Sequence, residues 1–172
     1  MYVKKIIIIL LLVVGSGFLC YFAIKTIQKV LKNTDESILI AIPEFFIKDS
    51  KNQIFSKQNL KQNIPSVFIA FHPECEHCQY EAKSIVEKQT QLKNTQIVLF
   101  TSANDSLVRA FSKTYGLDAL KNVHVLTDSK NEMWTLFDVK TIPTIFIYNA
   151  QNQLIKRFNG ETKIEAILKH LQ

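Results

Sequence analysis

A chain of 172 residues with 47% hydrophobic side chains can carry one apolar membrane segment and still bury the core of a single domain of about 100 to 150 residues. Its formal net charge of +6 does not mark a nucleic-acid binder: residues 1–40 hold five lysines against Asp35 and Glu36, and the rest of the chain holds 16 basic against 13 acidic side chains. Only two arginines occur, Arg109 and Arg157, and no basic stripe with interleaved aromatics supports phosphate-backbone binding.

From Ile6 through Ile24 there is no charged residue, and nineteen helical residues at about 1.5 Å each span roughly 28 Å, close to the thickness of a bilayer core. This predicts one transmembrane helix. A cleaved signal peptide fits less well, because the apolar region is long and the bulky Phe18, Leu19, Tyr21 and Phe22 follow the small cluster Gly15-Ser16-Gly17. Cys20 follows Leu19, where a lipoprotein signal wants a small residue, and is read as a lipid-facing thiol without function. Lys4 and Lys5 on one side nearly balance Lys25, Lys29 and Lys32 on the other, so the positive-inside count does not orient the span. The predicted organisation is an anchor at 1–27, a stalk at 28–42 and a domain at 43–172.

The domain opens with two β-like runs, Phe45 to Lys48 and Gln53 to Phe55, around the turn formers Asp49-Ser50-Lys51-Asn52, which predicts a hairpin. Ser66 to Phe71 (SVFIAF) is an apolar run of the kind buried on both faces of a sheet. From Cys75 the spacing turns helical, with Cys78, Ala82, Ile85, Val86, Gln89 and Leu92 at three- and four-residue steps. The strand-then-helix pattern repeats as Gln96 to Phe100 and Ser106 to Tyr115, with Gly116 placed to end the helix. It repeats again as Val123 to Leu126 and Asn131 to Phe137. Thr144 to Tyr148 and Leu154 to Phe158, joined by a short polar loop, predict an antiparallel hairpin, and Lys163 to Leu171 a closing helix. The fold class is α/β, a three-layer α/β/α sandwich whose sheet is parallel at its centre and mixed overall.

Within FHPECEHCQYEAKSI, residues 71–85, Cys75 and Cys78 stand where a strand gives way to a helix. There the unpaired N–H groups and dipole of the first turn favour a thiolate on the leading cysteine. The second cysteine lies on the same face, close enough to close a disulfide. A strand, a short loop and C-x-x-C opening a helix is the arrangement a dithiol catalyst needs.

Over roughly residues 43–172 the chain resembles the thioredoxin superfamily, and more closely its membrane-anchored TlpA/ResA-like thiol-disulfide oxidoreductases. The resemblance rests on the entry segment PEFFIKDSKNQIFSKQNL, the strand SVFIAF, the motif CEHC, an extra strand-helix insertion and TIPT before the last hairpin. It implies a thioredoxin-like domain in which Cys75 attacks a substrate disulfide and Cys78 resolves the mixed disulfide. It further implies that Pro143 is the family's cis-proline, with the Ile142 backbone placed to pair with an extended substrate, and that Glu81 assists proton transfer at the buried thiol. A solvated helix glutamate fits the sequence of Glu81 equally well. The aromatic that usually precedes the first cysteine is replaced by Glu74, and the usual proline of the dipeptide by His77. Glu74 and Glu76 oppose the Cys75 thiolate while a protonated His77 favours it, so these three residues leave the direction of catalysis open. The resemblance implies a reductant acting on protein thiols and disulfides, single-pass in the cytoplasmic membrane with its domain on the extracytoplasmic side, supplied by a membrane electron donor. It needs no organic cofactor, the redox group being the Cys75–Cys78 disulfide.

A structural disulfide would close too small a loop to constrain the unfolded chain much. No second C-x-x-C completes a zinc site, and no metal is assigned. A Sco-like copper carrier, using His72, Cys75 and Cys78, is the alternative function, although that family spaces its cysteines by three residues. A peroxiredoxin would place threonine where His72 stands. The four glycines, at 15, 17, 116 and 160, form no phosphate-binding loop. Trp134 and Phe137 are expected in the core, and His124 and His170 as structural or exposed side chains.

Overall fold

A computed structural model describes residues 2, 6, 15–28, 41–49 and 53–171, and the chain divides into two compact units, residues 1–38 and 39–172. In the first unit residues 15–28 are helical, and Phe18, Leu19, Tyr21, Phe22, Ile24 and Ile27 are exposed. The predicted span lies partly outside the described residues. Among those described, no helix is long and apolar enough to cross a membrane.

The described residues of the second unit form a seven-stranded sheet with helices on both faces. Its strands are β1 (Phe46–Asp49), β2 (Ile54–Ser56), β3 (Ser66–Ala70), β4 (Gln96–Thr101), β5 (Val123–Thr127), β6 (Thr144–Tyr148) and β7 (Leu154–Asn159). The helices are α1 (Glu76–Glu87), α2 (Asp105–Thr114), α3 (Glu132–Leu136) and α4 (Ile164–Leu168). The spatial order is β2-β1-β5-β4-β3-β6-β7, with β3, β4 and β5 parallel and the flanking pairs antiparallel. The expected mixed sheet is therefore present, including both hairpins.

Every residue of β3 is buried, and the pleat sends them alternately to two cores. Val67 and Ile69 join Ile97, Leu99, Ile145 and Ile147 beneath α1, α2 and α4. Phe68 and Ala70 join Val98, Phe100, Phe146 and Tyr148 on the other face, under α3 and the opening hairpin. Trp134 packs against that second core and Phe137 lies within it. Ile42, 1% exposed, also belongs to it, and Ala41 bridges to Gln153, so the compact unit takes in residues of the predicted stalk.

Helix ends follow local chemistry. The Asn104 side chain caps α2 by accepting from Leu107 N at 3.0 Å, and Gly116, at φ 71°, follows its C-cap in the left-handed conformation expected of a terminator. Three helices are shorter than their periodicity predicts. Beyond Glu87 the chain of α1 tightens into i to i−3 turns, yet Leu92 still reaches the core. Left-handed Asn131 (φ 57°) and Asp138 (φ 47°) bracket α3, and α4 frays into turns after Leu168.

The register fixes where chemistry can happen. Ala70, the last residue of β3, pairs with Phe100 on one side and with Thr144, the first residue of antiparallel β6, on the other. The loop into α1 and the residues before β6 therefore meet at one edge of the sheet, beyond the carboxyl end of its central strand, where open α/β sheets bind ligands.

Candidate active site

Loop 71–75 leaves β3 under tight control. Phe71 N donates to Phe100 O at 3.1 Å and Cys75 N to His72 O at 3.1 Å, while the Gln79 side chain reaches back to Pro73 O at 2.9 Å. Cys75 itself is the N-cap of α1, in extended conformation at φ −83° and ψ 115°. Its Sγ accepts from the Cys78 amide at 3.4 Å, one of the helix's otherwise unpaired donors. Both cysteines are free thiols, Cys75 half-buried and Cys78 buried.

Cys78, 1% exposed, packs with Ala82 and Ile85 in the core beneath α1. Burial pushes its thiol well above the ordinary range, and the neighbouring Cys75 and the Glu81 charge act in the same direction. A thiol so placed needs a base before it can act as a nucleophile.

Glu81 is buried, 1% exposed, because residues 78, 81, 82 and 85 share one stripe of the helix. Its Oε1 accepts from the Thr162 amide at 2.7 Å, and its Oε2 has no partner among the described residues. Burial raises its carboxyl from 4.5 to about 7; the Thr162 amide opposes that rise and the Glu161 charge adds to it. A carboxyl group poised near neutrality, one oxygen held and the other unpaired, one helical turn from a buried thiol, is suited to proton exchange.

The dipeptide residues behave differently from one another. Glu74, Glu76 and His77 are all exposed, but His77 is engaged through Nδ1 by the Glu161 carboxylate and so is not free to serve Cys75 alone. His72 accepts from the Glu74 amide at 3.3 Å through its own Nδ1. Among the described residues no group of three or more His, Cys, Asp or Glu side chains is gathered so as to hold a metal ion.

The peptide between Ile142 and Pro143 is cis. Pro143 is buried and Ile142 half-buried, the latter packed against both cores. The Pro143 carbonyl accepts from Gly160 N at 2.7 Å, and the Ile142 backbone takes no hydrogen bond among the described residues. Two contributors were missed from sequence, Glu161 and Thr162, which lie more than 80 positions from the helix residues they hold. Thr162 acts through its backbone amide, which no side-chain pattern reveals. His124 packs against Phe55 in a tilted arrangement with ring centroids 4.6 Å apart, and His170 against Phe158 at 5.9 Å.

The model of the AhpC/TSA family matches residues 39–157. The chain is 24% identical over 157 residues to the thiol-disulfide oxidoreductase ResA of Bacillus subtilis, spanning 89% of this chain and 82% of that protein. Its fold is similar to a secreted Mycobacterium tuberculosis disulfide oxidoreductase homologous to E. coli DsbE, with a TM-score of 0.65, 19% identity and coverage of 78% of this chain and 96% of that one. It is also similar to StoA of Bacillus subtilis, with a TM-score of 0.60, 21% identity and coverage of 77% and 99%. The chain thus belongs to the AhpC/TSA family, as a thioredoxin-like oxidoreductase related to ResA.

Proposed function

We propose that the protein reduces disulfides in protein substrates by dithiol exchange at Cys75 and Cys78. The observation that carries this reading is the graded pair on one helix turn: a half-buried Cys75 holding a helix N–H, and a buried Cys78 beside a carboxyl poised near neutrality. The substrate segment lies along the open backbone of Ile142, next to Pro143. Cys75 Sγ, as thiolate, attacks one substrate sulfur; the substrate disulfide breaks, its other sulfur leaves as a thiolate, and a mixed disulfide forms. Glu81 takes the proton of Cys78, whose thiolate attacks Cys75 Sγ and releases the second substrate sulfur. Two electrons pass to the substrate, and the enzyme is left with a Cys75–Cys78 disulfide. A membrane dithiol donor returns it to the reduced state.

The apolar run 6–24 supports a tether in the cytoplasmic membrane, and the kind of chemistry at Cys75 and Cys78 supports an extracytoplasmic domain, since stable substrate disulfides belong to oxidising compartments. A reporter fused after Gln172 is expected to work only outside the cytoplasm; one active only inside reverses the topology.

Trapping tests the exchange itself. With Cys78→Ser, incubation with a disulfide-bearing protein should accumulate a covalent adduct on Cys75 that dithiothreitol releases, while Cys75→Ser should form none. An adduct that forms equally in both variants would place the nucleophile elsewhere.

A further inference from the structure

Gly160, Glu161 and Thr162 follow β7, and each holds a different part of the site. The Gly160 amide donates to Pro143 O at 2.7 Å, the Glu161 carboxylate grips His77 Nδ1, and the Thr162 amide donates to Glu81 Oε1 at 2.7 Å. His77 and Glu81 are four residues apart, successive turns on one side of α1. Consecutive residues of the strap thus hold consecutive turns of the helix, one at the surface and one in the core. Gly160, at φ 97°, supplies the backbone reversal that lets its neighbours diverge. Thr162 Oγ1 closes the strap on itself by donating to Gly160 O at 3.1 Å.

We propose that Glu161 is a positioning residue of the redox centre: its grip on His77 keeps the 160–162 strap closed, and the closed strap keeps the Thr162 amide on Glu81 and water away from it. The inference rests on the reading of Glu81 as the proton acceptor. The titratable groups that interact with Glu81 are Cys78 on its own helix and Glu161 of the strap, which in turn engages His77 of the same helix. Two turns farther along, Lys88 pairs with Glu165 of α4 at 3.6 Å. Burial is the largest cause of the raised Glu81 carboxyl and outweighs the opposing Thr162 amide, so opening the strap, which exposes the group as it releases that amide, returns it toward an ordinary carboxylate.

The test uses the full-length chain with Glu161→Ala, His77→Ala, the double variant and Glu161→Gln. Hydrogen exchange of the Thr162 amide is expected to quicken severalfold in each single alanine variant, the effect of losing one largely exposed contact. The double variant should be no faster than either single, and Glu161→Gln, which keeps a hydrogen bond to His77, should recover most of the protection. In parallel, the pH profile of mixed-disulfide resolution should lose its inflection near pH 7 to a lower pH in both alanine variants. Wild-type Thr162 exchange and an unmoved inflection in those variants would overturn the proposal, as would an additive double variant. If Glu81→Gln leaves the inflection in place, the reading of Glu81 falls, and Thr162 exchange still decides the strap.

Discussion

Glu81 has a measurable consequence for stability as well as for exchange. Its carboxyl stands at about 7 in the fold against 4.5 in an open chain, so the folded state binds the proton more tightly. The resulting stabilisation is complete below pH 4.5 and is lost as the pH rises through 7. Replacing it with an uncharged isostere removes that loss. Glu81→Gln is therefore expected to gain about 3 kcal/mol over wild type between pH 4.5 and pH 8, measured as the difference in urea midpoints; a difference that does not change with pH would show that Glu81 is not held protonated. The same variant should slow resolution of the mixed disulfide at pH 7 by about tenfold or more, read as persistence of the Cys75 adduct. At this scale the two cysteines were legible because a strand, C-x-x-C and a helix lie side by side in the chain, whereas Pro143 was placed only by the resemblance that TIPT carries. The burial of Glu81 was not legible, since a solvated helix glutamate fitted the sequence equally well and the residue that holds it, Thr162, lies 81 positions away. Its partner Thr162 left no trace, since a backbone amide is the same in every residue except proline.

At the scale of elements, the ends of the helices depend on a few backbone conformations. Gly116 sits at φ 71° with nothing within 4 Å of where a Cβ would stand, so Gly116→Ala meets no clash and bears only the cost of the left-handed conformation. A loss of about 1 kcal/mol is expected, seen as a lower urea midpoint with unchanged slope; an unchanged midpoint would mean that the turn re-forms another way. Gly116 as a terminator was readable because glycine after a periodic run has a known use. The short α3 was not, because its limits are set by Asn131 and Asp138 in left-handed geometry, which residue type alone permits but does not impose. Both hairpins were readable from alternating runs around polar loops, whereas the antiparallel pairing of β1 with β5 joins segments too far apart for local pattern to match.

Across the whole domain, one strand feeds two cores, and the site sits at its end. Phe68 is fully buried, with ring neighbours Phe137 at 5.1 Å, Tyr148 at 5.7 Å and Phe45 at 6.0 Å. Truncation to alanine should cost about 3 to 5 kcal/mol through lost burial and a residual cavity. Thermal unfolding would show it, and a loss below 1 kcal/mol would mean that the second core repacks. Parallel central strands and a mixed edge followed from the alternation of β and α segments, but strand order did not, since it is decided by which faces the helices cover.

The central claim, a reversible dithiol centre that reduces its partners, is tested most directly by equilibrating the full-length chain with glutathione redox buffers and counting free thiols at Cys75 and Cys78. A single two-electron couple, absent in Cys75→Ser and Cys78→Ser and more reducing than about −200 mV, is the predicted result. A value near −120 mV would reverse the direction of catalysis, and failure to form a reversible Cys75–Cys78 disulfide would contradict the account outright.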